Sequence, residues 1–214
     1  AGSVYLDLNG NFRFDPDNPD PAHRDVVHDL GFTTDQVFAG NFVQNAGGTA
    51  DGFDKLAVYG RVGAVSRWLI DTDNNGVPNL SVADPAGVTG MPVAGNFDGS
   101  LVNGDEVGLF TGTTWWLDTD HDFRVDTSIA GNMQGYPMVG DFDGDGTDDL
   151  ATLNSQKNRF EFDLNGDGRR DRVIALPFGE FIGVRERPVA ADMDGDGIDD
   201  VGLWVPDRGA MTPE

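Results

Sequence analysis

No cysteine occurs anywhere in the chain, so a disulfide framework and a thiolate metal site are both excluded. Basic residues are scarce: 14 Lys and Arg stand against 37 Asp and Glu, a formal charge of -23. Nucleic acid and anionic lipid both need a positive footprint, which argues against either as a partner. Long apolar runs are missing as well. No stretch reaches the roughly 20 apolar residues of a membrane span, and the opening AGSVYLDLNG has neither the basic nor the apolar region of a secretion signal, so the sequence reads as a mature chain or an excised piece. No nucleophile elbow, phosphate-binding loop or dinucleotide fingerprint is present. What remains suffices for a core, since 38% of the 214 residues are apolar and 10% aromatic, too many for a disordered acidic tail. Such an acid excess on a globular chain points to cations.

The chain repeats. QVFAGNF, MPVAGNF, YPMVGDF and RPVAADM place Asn41, Asn96, Asp141 and Asp192 after an apolar stretch, and each leads through a polar loop into KLAVY, EVGLF, DLATL or DVGLW. A second series, SVYLD, RWLID, WWLD and RFEFD, ends on Asp7, Asp71, Asp118 and Asp163. Alternating apolar positions bounded by Gly, Asp and Asn predict strands. Val4 and Leu6, Trp68 and Ile70, Trp115 and Leu117, and Phe160 and Phe162 form one apolar face, and Tyr5, Leu69 and Trp116 supply a second, as in strands covered on both sides. Gly40, Gly95, Gly140 and Ala191, with Ala57, Gly108, Ala151 and Gly202 after the loop, predict close backbone approach on innermost strands.

Four antiparallel strands in about 45 to 55 residues match a propeller blade. The expected architecture is all-β, a four-bladed β-propeller in one repeat domain over 1–214, with repeats of approximately 1–35 plus 187–214, 36–90, 91–135 and 136–186. The final hairpin pairs with the initial one to close the ring; the alternative is a fragment of a larger propeller.

The loops carry the chemistry. In DFDGDGTDD, Asp141, Asp143, Asp145 and Asp149 occupy positions 1, 3, 5 and 9, with Gly146 at the sharp turn and the Thr147 carbonyl at position 7. Alternate carboxylates and a carbonyl can curl around a hard cation that takes six to eight oxygens. DMDGDGIDD repeats this with Asp192, Asp194, Asp196, Ile198 and Asp200, and DLNGDGRRD with Asp163, Asn165, Asp167, Arg169 and Asp171. Weaker copies are Asp118, Asp120, Asp122, Arg124 and Asp126, then Asp7, Asn9, Asn11, Arg13 and Asp15, each with Phe at position 6. Asp25 is a rival ninth ligand in the latter, and Asp71, Asp73 and Asn75 form a two-acid loop. Thr152, Leu203 and Ile174 stand where an EF-hand needs an acid, so these are nine-residue hairpin loops. The expected cofactor is Ca2+, five or six ions, because a flexible all-protein oxygen cage suits it better than Mg2+. The Asn41 and Asn96 loops read as decayed, the first with Lys55 at the ninth place and the second with an insertion before Glu106.

G-D-F-D-G-D-G-x-D-D-L after a Pro-containing strand, at 141–149 and 192–200, resembles FG-GAP/VCBS-type repeats, including the calcium-binding blades of integrin α-subunit propellers. The resemblance implies a propeller with calcium in its hairpin loops and an extracellular or cell-surface setting. The second ion loop in each repeat and the count of four repeats depart from integrins, so integrin-like ligand binding does not carry over.

Strand alternation places every ion loop at one end. Arg61, Arg67, Lys157, Arg185, Arg187 and Arg208 fall at the other, an expected face for a protein or glycan ligand, or simply solvated charge. His23, His28 and His121 form no metal or triad spacing, and His121, inside an ion loop, is expected in solvent. With nearly every acid in a ligand role, the expectation is a monomeric binding, adhesion or structural module and not an enzyme. The alternatives are a polysaccharide lyase or hydrolase domain and an inert spacer.

Overall fold

The computed structural model describes residues 2–44, 48–84, 86–100, 102–176 and 187–204. Among the described residues the fold is all-β, apart from a single 3-10 turn at Pro21–His23. Three four-stranded antiparallel sheets follow one another along the chain. The first contains β3 (Gln36–Gly40), β4 (Lys55–Val62), β5 (Val65–Ile70) and β6 (Leu80–Asp84). The second contains β7 (Met91–Gly95), β8 (Glu106–Phe110), β9 (Thr114–Leu117) and β10 (Thr127–Ala130). The third contains β11 (Tyr136–Gly140), β12 (Asp149–Asn154), β13 (Arg159–Asp163) and β14 (Arg172–Ala175). Each strand pairs only with its sequence neighbours within the sheet, so every connection is a hairpin.

Two further sheets have two strands each: β1 (Gly2–Leu6) with β2 (Val26–Leu30), and β15 (Arg187–Ala191) with β16 (Asp200–Trp204). Among the described residues no ladder joins β16 to β1, the pairing that the closed ring requires. Tyr5 on β1 and Trp204 on β16 are correspondingly 65% and 59% exposed.

The core lies between successive sheets. Trp68, Ile70 and Tyr59 of the first pack with Val107 and Leu109 of the second; Trp115, Leu117 and Val93 of the second pack with Leu150 of the third. Phe160, Phe162 and Met138 of the third continue toward Val201 and Leu203 of the last hairpin. Both faces of the inner sheets are therefore covered, as the doubly apolar strands predict. Glu161, the polar residue in that pattern on β13, is fully buried with Arg159 and Arg170 on its carboxylate.

The first strands of successive sheets run side by side, β3 against β7, β7 against β11 and β11 against β15. The small residues at their ends make this possible. A Cβ on Gly40 would lie 2.6 Å from the Ala94 Cβ, and one on Gly95 would lie 2.4 Å from Val139. Any larger side chain there would push neighbouring repeats apart.

Candidate metal centres

The acid loops after β11 and β15 leave their strand at position 1 and return at position 9, and the ladder holds the two ends together: Gly140 pairs with Asp149, and Ala191 with Asp200. After β11, Asp141 turns both carboxylate oxygens into the loop. Its Oδ1 accepts from the N–H groups of Gly144 at 2.7 Å and Asp145 at 3.1 Å, and its Oδ2 from Gly146 at 2.9 Å. Asp143 accepts from the Asp145 N–H at 3.2 Å and Asp145 from the Thr147 N–H at 2.8 Å. Asp149 closes the loop by accepting from the Phe142 N–H at 2.9 Å. After β15 the pattern recurs: Asp192 accepts from Gly195, Asp196 and Gly197, Asp194 from Asp196, Asp196 from Ile198 and Asp200 from Met193.

The winding depends on left-handed backbone at positions 4 and 6, supplied by Gly144 and Gly146, Gly195 and Gly197, and Gly166 and Gly168. The loops with Phe at position 6 keep the same path, Phe12 at φ 61° and Phe123 at φ 60°. Phe123 is buried against Phe42 and His121, whereas Phe12 is 96% exposed.

Three groups of carboxylates converge, each with one oxygen per residue within 4.8 Å of the others: Asp118, Asp120 and Asp122; Asp141, Asp143 and Asp149; Asp192, Asp194 and Asp200. Burial pushes the Asp118 and Asp149 carboxyls up to about 7, and the neighbouring Asp122, and Asp141, Asp143 and Asp145 respectively, add to the effect. Among the described residues no ion pair reaches Asp141, Asp143 or Asp149, or Asp192, Asp194 or Asp200. Arg124 pairs with Asp122 at 2.7 Å. Carboxylates with a seventh-position carbonyl make an all-oxygen donor set whose chemistry fits a hard divalent cation. Asp126 accepts from Thr119 at the ninth place.

The remaining loops hold the path with fewer converging acids. Asp163 accepts from Asp167 and Gly168, Asn165 from Asp167, Asp167 from Arg169 and Asp171 from Leu164. Asp71 accepts from Asn75 and Gly76, and Asn79 receives the Thr72 N–H at the ninth place, while Asp73 takes the Asn75 amide. In the first loop Asp7 accepts from Gly10 and Phe12, Asn9 from Asn11 and Asn11 from Arg13. There the ninth-place bond, from the Leu8 N–H at 3.0 Å, goes to Asp25 and not to Asp15. Asp25 also accepts from the Asp15 N–H at 2.7 Å, while the Asp15 carboxylate accepts from the Asn9 side-chain amide at 2.9 Å.

Sequence reasoning missed Glu106. Despite the insertion, its Oε2 accepts from the Phe97 N–H at 2.8 Å, the ninth-place bond of the Asn96 loop. Its Oε1 lies 2.8 Å from His121 Nδ1, with both side chains fully enclosed. The expectation that His121 is solvated is therefore corrected: it reaches out of its own loop into the neighbouring one, with Nε2 3.4 Å from the Val43 carbonyl. The signal was available as a single His and a single Glu in the two loops at the same end of one repeat.

At the opposite end, Arg61 donates to the Ala64 carbonyl, Arg67 to Ser81, and Arg187 lies 5.0 Å over the Tyr136 ring. Arg185 and Arg208 lie outside the described residues. Among the described residues, no helix is long and apolar enough to cross a membrane. Compared with known proteins, the chain matches no family model and no curated protein.

Proposed function

We propose that the chain is a calcium-stabilised β-propeller of four blades that works as a binding, adhesion or structural module outside the cell. The observation that carries the reading is the convergence of Asp141, Asp143 and Asp149, and of Asp192, Asp194 and Asp200, on points that no protein cation reaches among the described residues. Like charges so placed repel, and a divalent ion turns the repulsion into attraction. Asp118, Asp120 and Asp122 converge as a third group, here with Arg124 paired to Asp122, and the Asp163, Asp71 and Asp7 loops share the winding.

Ring closure is the finer part of the proposal. The last hairpin supplies first and second strands, the first hairpin supplies third and fourth strands, and both leave apolar side chains, Trp204 and Tyr5, in solvent. Pairing β16 with β1 would complete a fourth sheet of the type seen three times. The basic end is the proposed ligand face for a protein or glycan. The acids serve as turn acceptors and ion donors, which favours a binding role over catalysis.

Mass measurement of bound ions on the native chain tests the calcium reading: five or six ions are expected, with a sharp fall in melting temperature in EDTA. A melting curve unmoved by EDTA overturns it. Removal of residues 1–30 tests closure. Aggregation or loss of cooperative unfolding in saturating calcium is expected, and a monomer that melts like the parent overturns the four-bladed ring in favour of a piece of a larger one.

A further inference from the structure

The Asn41 loop runs from Asn41 to Lys55 and matches the acid loops residue for residue over its second half. Gly52 is left-handed at φ 79°, as Gly146 at 90° and Gly197 at 89° are at position 6. The Phe53 N–H donates to Asp51 Oδ1 at 3.1 Å, as the Thr147 N–H does to Asp145. Asn41 is therefore position 1, Asp51 position 5, Phe53 position 7 and Lys55 position 9. The Lys55 side chain is 3% exposed, and its Nζ donates to Asn41 Oδ1 at 3.2 Å, to Asp51 Oδ1 at 2.5 Å and to the Phe53 carbonyl at 2.7 Å. Those oxygens belong to positions 1, 5 and 7, the donors that the acid loops offer to an ion.

We infer that the Lys55 ammonium is the resident cation of this loop. A tethered, singly charged group fills the place of a dissociable divalent ion, so the first repeat keeps its hairpin loop without one. An ammonium has three N–H donors and no acceptor, which matches three converging oxygens and leaves none for a metal. A buried ammonium costs desolvation unless paired and hydrogen-bonded; here Asp51 supplies the charge, and Asn41 and Phe53 the remaining bonds. The inference rests on the cation reading of the acid loops.

Ion counting by mass spectrometry on the full chain tests it, with calcium as the probe. Lys55→Asp combined with Asn41→Asp restores carboxylates at positions 1, 5 and 9, and one more calcium than in the parent is expected. A folded double variant with an unchanged count overturns the inference, while a parent that binds no calcium overturns the broader reading instead. Should the double variant not fold, amide exchange on the parent decides. With calcium lowered just short of unfolding, protection across 51–56 stays constant while protection across 141–149 falls; loss in both loops together overturns the inference.

Discussion

Asp148 and Asn96 hold each other across two repeats. The Asn96 N–H donates to Asp148 Oδ2 at 2.8 Å, and the Asp148 N–H donates back to the Asn96 carbonyl at 3.0 Å. Asp105 makes the same pair of bonds with Asn41, and Asp199 with Asp141. The eighth residue of a loop thus grips the first residue of the preceding one, while the ninth serves its own loop. Burial raises the carboxyls of all three gripping aspartates, Asp148 to about 7.

Asp148→Ala should therefore remove a link between repeats without removing an ion. Leaving the Asn96 N–H buried and unpaired should cost about 1–3 kcal/mol. Urea unfolding should show the loss while the ion count stays that of the parent; a lost ion would mean that Asp148 is a ligand.

Asp143→Ala or Asp194→Ala should each remove one calcium, and Asn41→Ala should remove none. Ion counting on the three purified variants checks this. If Asn41→Ala loses an ion, the placement of the Lys55 ammonium in that loop is overturned as well.

Two phenylalanines share one backbone conformation in different surroundings. Phe12→Gly should stabilise, because relieving left-handed strain of about 1–2 kcal/mol outweighs the added freedom of glycine, about 0.5–1 kcal/mol. Phe123→Gly should destabilise, since losing a buried Phe costs about 3–5 kcal/mol. Thermal melts of both variants in saturating calcium should move in opposite directions.

Acidity should act oppositely on the ion-free and ion-loaded chain. Asp118 and Asp149 sit at about 7 against 3.8 when unfolded. Carboxyls raised in this way favour folding fully below the unfolded value, and that contribution is lost as pH rises through about 7. In EDTA the melting temperature should fall from pH 5 to pH 8. In saturating calcium it should rise over the same range, because the ion binds deprotonated carboxylates. Parallel slopes in the two conditions would count against these acids as ligands.

Gly95→Val should separate the second and third repeats, because even a Cβ there would lie 2.4 Å from Val139 and 2.8 Å from the Asp148 carboxylate. A loss of several kcal/mol, at the upper end of ordinary point mutations, is expected in urea unfolding.

Alternation and turn chemistry made the strands legible, and the recurring small residues announced the contact now seen between Gly40 and Ala94. Carboxylate spacing made the loop winding legible down to its sixth residue. The Pro-rich insertion before Asp25 was legible as the source of a rival ninth residue, and Asp25 takes that bond; spacing failed at Glu106, which reaches the ninth place across an insertion that read as decay. It also failed where a side chain crosses between loops, as His121 does, since neither event leaves a local pattern. The eighth-position acids were read past because a doubled Asp looks like turn composition; their role exists only between repeats. Lys55 looked like decay because a charge of the wrong sign breaks a ligand motif, although it preserves the electrostatics at the centre.

The grip of Asp148 on Asn96 has a direction: each repeat reaches backward with a carboxylate and is held at its own first amide. Such head-to-tail contacts contain no two-fold partner and no natural stop, so they end either by meeting themselves or by growing. Asp54 and Asp192 occupy the corresponding eighth and first positions at the two extremities. In the proposed ring Asp54 would grip Asp192 as Asp148 grips Asn96; were the ring left open, the same two positions on separate copies would be the ones to meet, and assembly would then follow concentration.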